Sequence, residues 1–302
     1  MSLKGYMCRR RNIRGLSVML LFFLLVISLF QAAGEEAWEC SVCGTENYDS
    51  PYCLICGCKP RLSMEEKAEY VPQAGDKIRF GAHDSDYYSQ EYWNPEPPLW
   101  TIMETDGMKA LVLSDYGYDN VVPVDDIYRN DPSWPDSFLR EWLNSEFINT
   151  LFNEAEQAAI VCRTATDGGY KTKDGARIKE NETADRIVVF SYEEAMKYLP
   201  SNEQRSLVDD IVYRKDRGDW NEPFSDGGGY YGWWLRSIGE GGEWYIVDPY
   251  GEIFSYKEVF PEPWNGDVIA VRPALWVDFE KLAESRDTII YEVAPFDRTA
   301  DF

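Results

Sequence analysis

Gly232-Trp233-Trp234-Leu235-Arg236-Ser237 reads as a strand. Alternation along it sends Trp234 and Arg236 to one face and Trp233 and Leu235 to the other, so at least one tryptophan must face a core. A second stretch of the same kind, Val271-Arg272-Pro273-Ala274-Leu275, follows downstream. Trp233, Trp234, Arg236 and Arg272 are suited to a ligand platform, because aromatic faces stack on sugars and arginine forks bind carboxylates. The competing role, which the bulk of these side chains favours, is a buried pair of structural strands.

Outward from these strands the pattern persists. Short β-prone runs separated by Gly, Pro, Asp and Asn occur at Lys77 to Gly81, Pro98 to Glu104, Ala110 to Ser114, Arg186 to Phe190, Trp244 to Val247 and Val268 to Val277. Helices interrupt them. Phe138, Leu139, Trp142, Leu143, Phe147 and Leu151 recur at three- and four-residue spacing behind Asp136 and Ser137, an apolar stripe with an N-cap. Asn153 with Glu156, before Ala155 to Val161, and Ser191 with Glu194, before Ala195 to Leu199, have capping-box spacing. A few helices among many strands predict an α+β domain. No period of repeat length runs along the chain, which excludes a solenoid or propeller.

The 302 residues carry 53 acids against 30 bases. Five of those bases, Lys4, Arg9, Arg10, Arg11 and Arg14, precede an apolar run from Leu16 to Phe30 and the small residues Ala32-Ala33-Gly34. This is the order of an export signal. The run is about 15 residues, short of the roughly 20 a spanning helix needs, so cleavage is expected. If the segment is retained, the positive flank stays inside and the rest faces outward. Without residues 1–34 the chain keeps 25 bases, a net charge of −28. Such a surface repels phosphate backbones and anionic headgroups, leaving an extracellular glycan or protein as the expected partner, with membrane contact only through an uncleaved leader.

Five of the seven cysteines fall between Cys40 and Cys58. Cys40-Ser41-Val42-Cys43 and Cys53-Leu54-Ile55-Cys56 are two C-x-x-C knuckles nine residues apart, a spacing that closes a tetrahedral sulfur site for structural zinc. So short a segment cannot fold on its own core, so the metal would supply the folding energy. Two disulfides are the competing arrangement in an oxidising compartment. Cys58 either pairs with Cys162 or stays a spare thiol. With Trp38 before the first knuckle and Asn47 after it, the segment resembles the zinc fingers first described in a Ran-binding nucleoporin, and zinc ribbons generally. Such relatives often bind RNA or ubiquitin, but between Glu35 and Pro60 only Lys59 is basic, which argues against nucleic acid.

The order Ile78-Arg79-Phe80-Gly81, Pro98-Leu99-Trp100, Ala110 to Ser114, Ser137-Phe138-Leu139-Arg140-Glu141-Trp142-Leu143-Asn144, Phe190-Ser191, Gly232 to Ser237, Val247 with Gly251, and Val271 to Leu275 resembles the bacterial domain of unknown function numbered 6273. That family is distantly similar to C-type-lectin-like and formylglycine-generating-enzyme folds, which implies twisted antiparallel sheets, short helices and long loops, but no activity. The family pattern has Ser-Pro-Gly where this chain has Ser237-Ile238-Gly239, so a different turn is expected there. Formylglycine chemistry needs reactive cysteines late in the domain, where only Cys162 remains.

The expected organisation is an export segment at 1–34, a four-cysteine zinc ribbon at 35–60, a linker at 61–74, an acidic aromatic-rich α+β domain at 75–295 and a tail at 296–302. The metal ligands are Cys40, Cys43, Cys53 and Cys56; the weaker ligand-binding candidates are Trp234, Arg236 and Arg272. Trp264-Asn265-Gly266-Asp267 faintly resembles lectin calcium motifs, but order and spacing fail, so calcium is not expected. His83, the sole histidine, has no nucleophile signature beside it. Asn181-Glu182-Thr183 is a sequon-like triplet in the long polar stretch Ala165 to Thr183, which it marks as an exposed loop. The leading expectation is a non-catalytic extracellular binding module. A secreted hydrolase acting on glycans or cell wall through carboxylates is the alternative, since such a pair is defined in space and not by sequence spacing.

Overall fold

The structure, a computed structural model, describes residues 37–40, 42–48, 50, 52–55, 57–59, 62–81, 97–118, 133–207, 232–256, 269–282 and 289–291. The expected leader, Cys56, His83, the Trp264–Asp267 motif and the tail lie outside them.

A small hairpin comes first, β1 (Trp38–Glu39) with β2 (Glu46–Asn47). Helix α1 (Met64–Glu69) follows, started by a capping box in which Ser63 and Glu66 satisfy each other's backbone N–H. The segment expected as a linker is therefore docked. Tyr70 is buried in the main core and donates to Asp76 Oδ2 at 2.6 Å, and Leu62 N reaches Ile290 O at 3.1 Å.

The main sheet takes β3 (Lys77–Arg79), β4 (Leu99–Asp106), β5 (Lys109–Ser114), β6 (Ile160–Val161), β11 (Ile187–Val189), β15 (Pro273–Asp278) and β16 (Ile289–Tyr291). Its order is β11-β15-β5-β4-β3-β16, with β6 also on β15 and every pairing antiparallel. Alternation makes both faces apolar. Ala110, Val112, Leu275 and Val277 enter one core, while Leu111, Leu113 and Ala274 enter a second.

The first core is covered by α2, which runs as Phe138–Trp142, a π-helical stretch Leu143–Phe147, and Ile148–Leu151. Its expected stripe is buried except at Phe138, and Ser137 is the N-cap, accepting from Arg140 N at 3.1 Å. Helix α3 (Glu154–Ala159) starts on the expected Asn153–Glu156 box, but it ends two residues early because Ile160 and Val161 pair with β15. The stretch 165–183, expected as an exposed loop, is an arm of two stacked pairs. β7 (Arg163–Thr166) pairs with β10 (Glu182–Asp185), and β8 (Tyr170–Lys171) with β9 (Arg177–Ile178). Tyr170 anchors the arm in the first core.

Helices α4 (Tyr192–Tyr198) and α5 (Asn202–Arg205) follow, each with a capping box; Ala195 and Leu199 pack into the second core. β12 (Trp233–Gly239), β13 (Glu243–Val247) and β14 (Ile253–Ser255) form a second antiparallel sheet. Every residue of β12 is buried, with Trp234 in one core and Trp233 and Leu235 in the other, as alternation requires. Gly232 leads into β12 at φ 107, where a Cβ would sit 1.5 Å from Val247 O, so only glycine fits. Ile238, in place of the family's proline, continues the strand to Gly239. The stretch expected as one strand from Val268 to Val277 is divided: Ala270 and Val271 form bridges to Trp233 and Tyr118 before β15 begins. The last helix, α6, is Phe279–Leu282.

Candidate functional site

The two cysteine knuckles share one backbone pattern. In the first, Gly44 N donates to Cys40 O at 2.7 Å and Cys40 N to Thr45 O at 2.8 Å. In the second, Gly57 N donates to Cys53 O at 2.9 Å and Cys53 N to Cys58 O at 2.7 Å. Gly44 and Gly57 close the two turns at φ 71 and 75, a conformation that a side chain would resist. Asn47, buried, ties the halves together, accepting from Leu54 N at 3.0 Å and donating to Thr45 O at 2.8 Å. Trp38 closes the outside by donating Nε1 to Ser50 O at 2.9 Å.

The turns bring the sulfurs of Cys40, Cys43 and Cys53 within 4.8 Å of one another, with Cys43 Sγ 3.4 Å from Cys53 Sγ. Zn–S bonds of about 2.3 Å in a tetrahedron require sulfurs about 3.8 Å apart. The three thiols can therefore hold a metal ion, and the spacing is compatible with zinc. Cys58 takes the place in the second knuckle that Thr45 has in the first and is fully buried. Cys162 is an exposed, unbridged thiol, so no Cys58–Cys162 disulfide forms. The cluster is not a free knob, since Cys40, Cys53 and Cys58 pack with Leu99 and Tyr116 of the main domain.

Trp234, Arg236 and Arg272 are 1%, 3% and 6% exposed. Arg236 donates from Nε to Thr166 O at 2.7 Å, from Nη1 to Val189 O at 2.6 Å, and from both Nη atoms to the Glu194 carboxylate at 2.5 and 2.8 Å. Glu194 is also the capping-box residue of α4, and Ser237 Oγ accepts from Tyr192 N at 2.9 Å. The Arg236-Ser237 pair thus seats β12 on the start of α4. Arg272 lies over the Trp233 ring at 5.3 Å and donates to Ser114 O at 2.9 Å, whereas Trp234 faces the other core and stacks on Tyr256. The three candidates do not converge on one site.

A groove that the sequence did not disclose runs along α2. It has a volume of about 590 Å³ and is lined by Asp136, Ser137, Arg140, Glu141, Asn144 and Ser145. The π-helical register alters the backbone ladder here, and side chains cover the carbonyls. Asn144 Nδ2 donates to Arg140 O at 3.0 Å and Ser145 Oγ to Glu141 O at 2.6 Å. Asn144 Oδ1 accepts from Arg186 N and Ile187 N, which pins the helix to the start of β11. On the arm, buried Asp185 accepts from Arg140 Nε at 2.7 Å, Trp134 Nε1 at 2.9 Å and Thr183 Oγ1 at 2.5 Å. Nearby, Asn181 of the sequon-like triplet spends its amide nitrogen on Asp167 Oδ2 at 2.9 Å.

Several antiparallel sheets, the two largest sharing two cores, with a few short helices and an N-terminal cysteine cluster able to hold a metal, define a mixed α/β protein whose candidate metal site lies outside its main cores. The model of the family described as Domain of unknown function (DUF6273) matches residues 108–279, more than half of the chain, and the chain belongs to that family. No curated protein and no solved structure matches it. The match omits β3, β4 and β16, which nonetheless complete the same sheet.

Proposed function

We propose that this is an exported, non-catalytic binding module stapled at its N-terminal end by a structural zinc ribbon. The repetition of the two knuckles carries the zinc reading. It gathers three sulfurs at metal-site spacing, and the second C-x-x-C supplies Cys56 as the fourth ligand of a closed site, the form that structural zinc takes. The basic-then-apolar order of residues 9–34 supports export to the outer face of the membrane or beyond. Antiparallel sheets with short helices, and Arg272 beside a late strand, support a C-type-lectin-like arrangement. The burial of Arg236 and Arg272 in the fold supports recognition on the outer surface, with an extracellular glycan or protein as partner. Calcium is not assigned.

A secreted hydrolase is the second reading, favoured by one observation: Asp136 and Glu141 line the same groove. Native mass spectrometry of the exported protein, purified without chelator and combined with thiol counting, tests the leading reading. One bound zinc, with Cys40, Cys43, Cys53 and Cys56 protected and the leader removed, is the expected result. A metal-free protein with two disulfides among those four would overturn the zinc assignment.

A further inference from the structure

We infer that the groove along α2 is a binding site for an uncharged saccharide; this rests on the binding-module reading and names its site. At about 590 Å³ the groove falls within the range of small-molecule clefts, roughly 300–1,000 Å³. It is far larger than a single ion needs.

Arg140 and Asn144 are fixed before any ligand arrives. Arg140 is held at Nε by Asp185, whose side chain is 1% exposed, and at Nη1 by Pro135 O at 3.1 Å, while Nη2 has no hydrogen-bond partner among the described residues. Asn144 has both ends of its amide bonded and forms a rigid wall. Asp136 uses Oδ2 on Ser133 Oγ at 2.9 Å and keeps Oδ1 available, and the carboxylate of Glu141 is exposed. A guanidinium and two carboxylates lining one groove suit adjacent hydroxyls, each of which both donates and accepts. Phe138 is 49% exposed and stands three residues before Glu141, on a neighbouring strip of the helix surface, where its ring can take the apolar face of a pyranose.

Charge selects among sugars. Two carboxylates against one guanidinium, on a chain carrying 53 acids, repel uronates and sulfated or phosphorylated glycans.

The test is retention on immobilised cellohexaose, laminarihexaose, maltohexaose, mannohexaose and N-acetylchitohexaose, with heparin as the anionic comparison. Wild type, Phe138→Ala, Glu141→Gln and Arg140→Lys are compared, with thermal unfolding measured for each. Glu141 and Phe138 are exposed, so their variants keep the fold even if Arg140→Lys does not. Retention of at least one neutral sugar, not of heparin, weakened about tenfold or more in Glu141→Gln and Phe138→Ala, is expected from the loss of one charged hydrogen bond or one stacking face. No retention of any neutral sugar, or preference for heparin, overturns the proposal. Retention that all three variants leave unchanged also overturns this site, while the binding-module reading survives. Shortening of the sugar that Glu141→Gln abolishes would keep the saccharide in the groove and overturn the non-catalytic reading instead.

Discussion

Buried tryptophans in this fold divide by what their indole nitrogens do. Trp100 Nε1 donates to Phe80 O at 3.0 Å, Trp134 to Asp185 Oδ2 at 2.9 Å and Trp233 to Arg205 O at 2.8 Å. Trp234 and Trp244 are equally buried, yet their Nε1 atoms meet no acceptor. A buried donor without a partner is penalised by about 1–3 kcal/mol, and replacing it with an apolar group removes that penalty. Trp100→Phe loses packing and also strands a carbonyl, whereas Trp244→Phe loses packing alone. Trp244→Phe is therefore expected to be the milder substitution by about 1–3 kcal/mol, read from urea midpoints at equal slope. Equal or greater destabilisation by Trp244→Phe would contradict this. Alternation in the sequence predicted that Trp233 and Trp234 would face opposite sides of the strand, with at least one of them in a core; the structure buries both, in different cores. Alternation did not predict that Arg236 would meet Glu194, because such pairing depends on which helix the fold brings to β12.

Helix α4 is tied to β4 by a surface cluster. Glu104 accepts from both Lys197 Nζ and Tyr198 Oη, and the Lys197 ammonium also lies over the Tyr198 ring at 4.4 Å. The bond from Lys197, then that from Tyr198, holds the Glu104 carboxyl below its ordinary range. The bond to Glu104, then that to Tyr198, raises the Lys197 ammonium above its own. A depressed carboxyl contributes stability above its unfolded pKa, about 4.3, and loses it as pH falls through the lower folded value. A raised ammonium contributes fully below its unfolded value, about 10.4, and loses it as pH rises through the higher folded one. The wild type should therefore exceed Glu104→Gln in Tm by a small, constant margin between about pH 5 and 9, closing at the acid end. A margin that persists at pH 2 would rule the ion pair out as its source. The same element shows what was readable locally. Ser191 and Glu194 announced α4 by spacing alone; Ser63 to Ala68 reads as one short helical turn within a linker, whereas the box at Ser201–Gln204 has no apolar stripe after it to mark a helix. The π-helical turn in α2 has no sequence signature. The arm at 163–185 was hidden by polarity, since its strands are only half buried. The groove was hidden for a related reason: Arg140 becomes a candidate only once Asp185 from the arm is seen to hold it.

At the scale of the whole molecule, the described residues of the cysteine module meet the sheets in a small apolar cluster apart from the two main cores. The two main cores contain no residue of the module, and the third cluster joins Cys40, Cys53 and Cys58 to Leu99, with Tyr116 packed against it. A segment this short has too little apolar surface to fold unaided, so on the proposed zinc reading a metal held by its cysteines would supply its order, whereas the sheets keep both buried faces without it. Removing the metal with a strong chelator, or by Cys53→Ser, should melt residues 37–59 and leave the domain folded. Its loss at the shared contact should be about 1.5–3 kcal/mol, the burial of one leucine. Hydrogen exchange measures this by region. Amides of the module should exchange freely and those near Leu99 and Tyr116 modestly faster, while β5, β12 and β15 stay protected. If those central strands lose protection together with the module, the metal is supporting the whole fold, and the ribbon is part of the domain's own core. If exchange in the module is unchanged without metal, packing against Leu99 is enough to order it, and zinc cannot be the source of its folding energy.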